Sequence, residues 1–252
     1  MVAHIIDGKA IAHSIRDQIQ LSIAQSRISP CLAAIIVGHD PASEVYVRHK
    51  VEACAKVGIK SRLYPVDRHA TQGGICALIH KLNEDPDVDG ILLQLPLPAG
   101  LDTDFIVQQI APTKDVDGLT HSNMGKLVAG TPFMVPCTPQ GVMDLLQIVH
   151  PDMTGLHAVI IGRSLLFGKP MGQLLLQADC TVTHTHSRTV NLKTITRQAD
   201  ILITATGSAR MIKGDWVKQG ATVIDVGITR LSDNRLRGDV DFDAVAPIAK
   251  AI

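Results

Sequence analysis

Short apolar runs, each closed by glycine or proline and separated by stretches of helical period, leave this chain few folds to choose from. Residues 31–37 (CLAAIIV) end at Gly38, residues 90–95 (GILLQL) run into Pro96 and Pro98, and residues 157–161 (HAVII) end at Gly162. Residues 60–66, 180–184, 201–206 and 221–226 read as further strands, the last two closed by Gly207 and Gly227. A strand with no polar face must be covered on both sides, which is the situation in a parallel sheet. Between these runs the period changes. Ile11, Ile15, Ile19 and Ile23 stand four apart and predict an amphipathic helix over residues 7–28. Residues 41–56, closed by Gly58, and residues 71–83 and 170–177 are also helical. Strands alternating with helices predict an α/β protein with mostly parallel sheets.

The chain has 252 residues, enough for two ordinary α/β domains with real cores. Lys plus Arg and Asp plus Glu number 24 each, so no bulk field favours nucleic acid or an anionic membrane. The five cysteines (Cys31, Cys54, Cys76, Cys137, Cys180) form no CxxC pair. That argues against a zinc knuckle or a disulfide scaffold and for the reduced thiols of a cytosol. Residues 1–14 show neither a charged leader before a long apolar run nor an Arg/Ser-rich amphipathic stretch, so no export or organelle signal is expected. Residues 112–139, rich in Pro, Gly, Asp, Asn and Thr, read as a loop region suited to an active site. Thr138 followed by Pro139 then predicts a helix start, with the helix running to Val149 as the crossover between domains at 1–138 and 139–252.

The later half carries the pattern of a dinucleotide fold. A strand running into glycine and then a helix offers backbone N–H groups and a positive helix end to a phosphate. Here the loop is Gly162-Arg163-Ser164-Leu165-Leu166-Phe167-Gly168, not GxGxxG, because Ser164 replaces the second glycine. A plain tight connection explains such a loop about as well. At the end of the next strand, NAD enzymes place a carboxylate on the ribose. This chain has Thr185, His186, Ser187 and Arg188 there, while Asp179 lies at the wrong end. A carboxylate would repel the extra phosphate of NADP, whereas Arg163, Ser187 and Arg188 suit it, so NADP preference is expected. His184 and His186 share a strand face, yet no third ligand lies at diagnostic spacing, so no metal is expected.

In the earlier half, Tyr46 and Lys50 are one helical turn apart. In short-chain dehydrogenases such a pair activates a hydroxyl, but there the glycine loop comes first; here it follows by more than a hundred residues. Gln94, within Leu93-Gln94-Leu95-Pro96-Leu97-Pro98, puts an amide at the end of an apolar strand, where parallel sheets expose their ligand crevice. Lys114-Asp115-Val116-Asp117-Gly118 clusters carboxylates in the central loop without the later ligands or closing Glu of an EF-hand.

Taken together, VGHDPASEVYVRHK with VGI following, LQLPLP, KDVDG, PCTP, IGRSLLFGKP, TVTHTHSRT, ADILITATG, and IDVGI with GDVDF resemble the bifunctional methylenetetrahydrofolate dehydrogenase/methenyltetrahydrofolate cyclohydrolase family. They occur in family order over almost the whole chain. The resemblance implies an N-terminal αβ folate-binding, catalytic domain and a C-terminal Rossmann-like NADP-binding domain, facing each other across a cleft in a homodimer. It implies that Tyr46 stacks on the pterin, Asp117 holds its amide edge, and Lys50 works with Gln94 beside the one-carbon bridge. Ser43, Leu95 and Pro96 would touch the substrate. Thr138, Gly162, Arg163, Ser164, Ser187, Arg188, Gly207 and Ile228 would line the coenzyme, Arg163 and Ser187 near the 2′-phosphate.

The reactions implied are oxidation of methylenetetrahydrofolate by NADP and hydrolysis of the methenyl product to formyltetrahydrofolate. The family continues beyond the position of Ile252 with a Pro/Gly-rich loop and a last helix, where this chain stops. Two alternatives remain: a monofunctional dehydrogenase of the same fold, separable by comparing NADPH appearance with methenyl hydrolysis, and a silent folate- or nucleotide-binding homologue. Retention of Tyr46, Lys50, Gln94 and Asp117 together speaks against the second.

Overall fold

The computed structural model describes residues 3–26, 28–39 and 41–252, and of residues 41–44 the backbone alone. The chain forms two compact units, Lys9–Val135 and Met1–Gly8 with Pro136–Ile252.

In the first unit the elements run α1 (Gly8–Ser26), β1 (Cys31–Val37), α2 (Pro41–Val57), β2 (Lys60–Val66), α3 (Gln72–Glu84), β3 (Gly90–Leu93), α4 (Thr103–Val107) and α5 (His121–Val128). The three strands form a parallel sheet in the order β2-β1-β3. Both faces of its centre are covered, as the lack of a polar alternation demands. Ala33, Ile35 and Val37 of β1 pack with Ile75, Ile79 and Leu82 of α3. Ala34 and Ile36 pack with Val47 of α2 and Leu92 of β3.

Local signals set most element ends. The Thr71 hydroxyl accepts from Gly74 N–H at 3.1 Å and starts α3. The region 112–139, expected as loop, holds the eight-residue α5, capped by Thr120 and anchored by the fully buried Leu127. The expected isoleucine stripe of α1 is only half covered: no residue of that helix is buried.

In the second unit follow α6 (Cys137–Val149), β4 (His157–Ile161), α7 (Gly168–Gln177), β5 (Thr181–Thr185), α8 (Leu192–Thr196), β6 (Ile201–Thr204), a 3₁₀ turn (Gly214–Trp216), β7 (Thr222–Asp225), the short antiparallel pair β8 (Thr229–Arg230) and β9 (Leu236–Arg237), and α9 (Phe242–Val245). The main sheet is parallel, in the order β5-β4-β6-β7. Helix α6 begins one residue before Thr138, with Pro136 in the capping position, so the hydroxyl expected to cap it lies in the first turn. The first residues join this unit rather than the one that follows them in sequence. His4 N–H bonds to Lys250 C=O and Ile6 N–H to Ile252 C=O, both at 2.9 Å, and Ala251 bridges in turn to Thr222 of β7.

Candidate functional site

In the Lys9–Val135 unit the KDVDG segment lies alongside β3 and each of its residues has a separate task. Ile91 N–H donates to Lys114 C=O at 2.7 Å, so the segment extends the sheet beyond β3. The Lys114 ammonium donates to the carbonyls of Leu82 (3.0 Å) and Asp85 (2.7 Å), satisfying the carboxyl end of α3. Asp115 is buried, and its Oδ2 accepts from Thr120 N–H at 2.8 Å and Asn123 Nδ2 at 2.9 Å, which ties the loop to the start of α5. Val116 packs on the α2 side of the sheet. It fits there only because residue 90 is glycine: a Cβ on Gly90 would overlap the Val116 side chain. Gly118, at φ +64°, turns the chain away after Asp117.

Among the described residues, the Asp117 side chain has no hydrogen-bond or ion-pair anchor of its own. It borders a small cavity with Ile91, Leu93, Val107, Ile110, Asp115 and Leu119. Burial pushes its carboxyl above the ordinary range; the Lys50 ammonium opposes this and the Asp115 charge adds to it. The Lys50 charge on α2 is thus felt at Asp117. Gln94 follows β3, and strand alternation puts it on the face of Leu92, which packs with Val47 and Val51 of α2. Its backbone N–H bonds to Ile35 C=O at 2.9 Å, its Nε2 donates to Leu95 C=O at 2.7 Å, and its Oε1 is buried without a partner among the described residues. An orphan buried acceptor is costly unless a donor arrives, and an ammonium is such a donor.

Tyr46, one turn before Lys50, is 52% exposed and offers an open ring face. Leu95 and Pro96 follow Gln94 through a cis peptide bond, the first half-buried and the second exposed. The side chain of Ser43 lies outside the described residues.

A raised carboxyl pKa has a consequence for stability. Folding disfavours the ionised form of Asp117, so its contribution is complete below the unfolded value of about 3.9 and is lost as pH rises through the folded value. Asp117→Asn is therefore expected to melt above the parent at pH 7, with the gap closing on acidification. Thermal melts across pH test this; a variant melting below the parent at pH 7 contradicts it.

In the second unit the expected coenzyme residues gather at the carboxyl ends of adjacent strands. Ile161 pairs with Thr185, and Gly162 N–H donates to Thr185 C=O at 2.9 Å. Arg163 and Ser187 each stand two residues beyond that pair, on strands about 4.8 Å apart. The turn carrying Ser187 and Arg188 closes on itself, His186 N–H on Thr189 Oγ1 at 2.8 Å and Thr189 N–H on His186 C=O at 2.8 Å, leaving both side chains outward. Gly207 follows β6 at φ +67°, and Ile228, 61% exposed, follows β7. Thr138 is exposed in the first turn of α6.

The glycine loop departs from the simple phosphate cradle. A Cβ on Gly168 would overlap the Gly162 carbonyl, so both bounding glycines are needed for the loop to close. Ser164 then serves the helix itself: its Oγ accepts from the N–H groups of Phe167 (3.2 Å) and Gly168 (3.4 Å), and its carbonyl accepts from Lys169 at 3.0 Å. Pro170 has no N–H to offer. The donors at the start of α7 are thus committed internally, and an anion here meets the Arg163 side chain, the Ser164 hydroxyl and the helix dipole. A Cβ on Gly172, one turn into α7, would overlap the His184 imidazole of β5. Partial desolvation against α7 lowers the pKa of that imidazole although the residue as a whole is exposed, and a hydrogen bond to the Gly162 backbone pulls it back up. His184 is therefore occupied in packing the glycine loop, and among the described residues no group of three or more His, Cys, Asp or Glu could hold a metal.

Comparison with known proteins adds the following. Residues 6–117 match the model of the tetrahydrofolate dehydrogenase/cyclohydrolase catalytic domain, and residues 136–252 that of the same proteins' NAD(P)-binding domain. The bifunctional protein FolD of Gluconobacter oxydans is 51% identical over 255 residues, covering 98% of this chain and 84% of that protein. Among solved structures, the bifunctional FolD methylenetetrahydrofolate dehydrogenase/cyclohydrolase of Campylobacter jejuni superposes with a TM-score of 0.96 at 42% identity, over 99% of this chain and 90% of that one. The Trypanosoma brucei enzyme, solved with NADP cofactor and an inhibitor, gives 0.95 at 35% identity, over 100% and 90%.

Proposed function

Because the chain belongs to the tetrahydrofolate dehydrogenase/cyclohydrolase family, we propose that it is a bifunctional enzyme that oxidises methylenetetrahydrofolate with NADP and hydrolyses the methenyl product to formyltetrahydrofolate. The observation that carries this reading is the succession of the two matched domains, catalytic over residues 6–117 and NAD(P)-binding over residues 136–252. It is supported in the first by the Lys50 charge felt at Asp117 and by the orphan Gln94 amide oxygen. The unit Lys9–Val135 takes the folate, and the unit containing Pro136–Ile252 takes the coenzyme. Tyr46 supplies a stacking face for the pterin and Asp117 accepts from its amide edge, with Ser43, Leu95 and Pro96 around them.

Bound NADP supplies the hydride acceptor. For that step the protein contributes alignment more than acid–base chemistry. Hydrolysis asks more of the chain, because water must add to a cationic amidinium-like carbon and lose a proton. Lys50, half-buried and electrostatically linked to Asp117, is the proton carrier in this reading, and Gln94 supplies a buried acceptor in the same unit.

Arg163, Ser187 and Arg188 favour NADP because the end of β5 presents a hydroxyl and a cation where an NAD enzyme has a carboxylate. Ser164, Thr138, Gly162, Gly207 and Ile228 form the remainder of the coenzyme surface. Loss of one charge-assisted contact in Arg163→Ala is expected to lower the NADP-over-NAD ratio of kcat/KM by about ten- to a hundredfold. Unchanged selectivity would remove Arg163 from the phosphate site. Cytoplasmic location and a homodimer complete the reading, with no nucleic-acid or membrane partner. Equal numbers of acidic and basic residues give no bulk field for nucleic acid or an anionic membrane. Absorbance at the methenyl band during turnover with NADP tests the whole: the band should rise and then decay. A band that rises and persists would instead identify a monofunctional dehydrogenase.

A further inference from the structure

Asp239 lies in the second unit with no exposed surface, and its three donors are uncharged. One oxygen accepts from Thr206 N–H at 2.6 Å and the Thr204 hydroxyl at 3.1 Å; the other accepts from Ser208 N–H at 2.9 Å. A buried carboxylate is expensive, and this one is directed at the last residue of β6 and the loop that leaves it. It is itself held by a second carboxylate. Asp225, the last residue of β7, accepts from the N–H groups of Gly227 (2.9 Å), Asp239 (3.1 Å) and Val240 (2.9 Å).

The two acids occupy reciprocal gaps. A Cβ on Gly227 would overlap the Asp239 carboxyl, and one on Gly238 would overlap that of Asp225. The pair therefore fixes both strand-end loops, the one with Gly207 and the one with Ile228. The first also touches the third wall, since a Cβ on Gly162 would come within 3.0 Å of the Ala205 carbonyl. β4 and β6, whose ends those glycines follow, are the neighbours at which the order of the sheet reverses, where open α/β sheets bind their ligand.

We propose that Asp239, seated by Asp225, is the positioning residue of the coenzyme surface, holding the Gly207 and Ile228 loops in the register that receives the nicotinamide end of NADP. The inference rests on the reading that this unit carries the coenzyme. In Asp239→Asn an amide N–H₂ is forced against backbone N–H donors without change of size. Gly227→Ala displaces the carboxyl without changing its charge. Both should raise KM for NADP by about tenfold or more and lower dehydrogenase kcat, while methenyl hydrolysis, which transfers no hydride, changes by less than about twofold.

NADP affinity by calorimetry and the two activities on the same preparation provide the measurement. NADP affinity and dehydrogenase activity unaltered in both variants overturns the proposal. So does an equal fall in both activities, which a merely structural role would give. Should Asp239→Asn fail to fold, Gly227→Ala and Asp225→Asn decide between the same outcomes. Absence of NADP binding by the unaltered protein would instead refute the coenzyme reading on which the inference rests.

Discussion

Lys50→Met is expected to abolish methenyl hydrolysis while leaving the oxidation of methylenetetrahydrofolate measurable. A positioned proton carrier contributes about 10²–10⁴-fold to a step that makes and breaks O–H bonds, and hydrolysis should fall by that much. The oxidation depends on alignment, so it loses only what the ammonium contributes to holding the substrate. Methionine keeps the length and helix propensity of lysine, so α2 has no reason to unwind. Hydrolysis within a few-fold of the parent, measured by decay of added methenyl substrate, would remove Lys50 from the proposed role.

Asp115→Ala should be the most destabilising of the substitutions considered. It strips the acceptor from Thr120 N–H and the Asn123 amide, both buried, and each stranded donor costs about 1–3 kcal/mol. A loss of about 2–5 kcal/mol is large against a total of about 5–15 kcal/mol for a folded domain. Asp115→Asn should lose much less, because its amide oxygen can stand where Oδ2 stands. Urea unfolding followed by far-ultraviolet dichroism checks both. Equal losses, or a loss below about 1 kcal/mol for alanine, would show that the network is dispensable.

The strands were legible in sequence because an apolar run between turn residues has no other stable use, and their ends were fixed to within a residue or two. Gln94 reads as part of a strand over residues 90–95 but lies just past β3, where its side chain turns to bond the neighbouring carbonyl. Helix α5 was obscured by the polar and glycine-rich residues around it, although Thr120 three residues before Asn123 is a capping signal. Motif order pointed to Lys50, Gln94 and Asp117; the Lys50 charge acts on Asp117, and Gln94 Oε1 is buried without a partner among the described residues. Asp115 and Asp239 carried no signal of their own. An aspartate in a loop is ordinarily solvated; Asp115 is made structural by the start of α5, five to eight residues on, and Asp239 by donors more than thirty residues before it. What the sequence did not show at Ser164 is that its hydroxyl also accepts from the N–H groups of Phe167 and Gly168 at the start of α7.

The missing side chains at Gly90 and Gly172 are occupied by Val116 and His184, from segments about 26 and 12 residues away. Such positions cannot drift singly. A lineage that gains alanine at either glycine must first, or at once, trim the partner, so each pair should change together among descendants or not at all. The sequence history of this fold is thus constrained in couples, and randomising one member of a couple in the laboratory should recover folded variants only where the other is free to shrink.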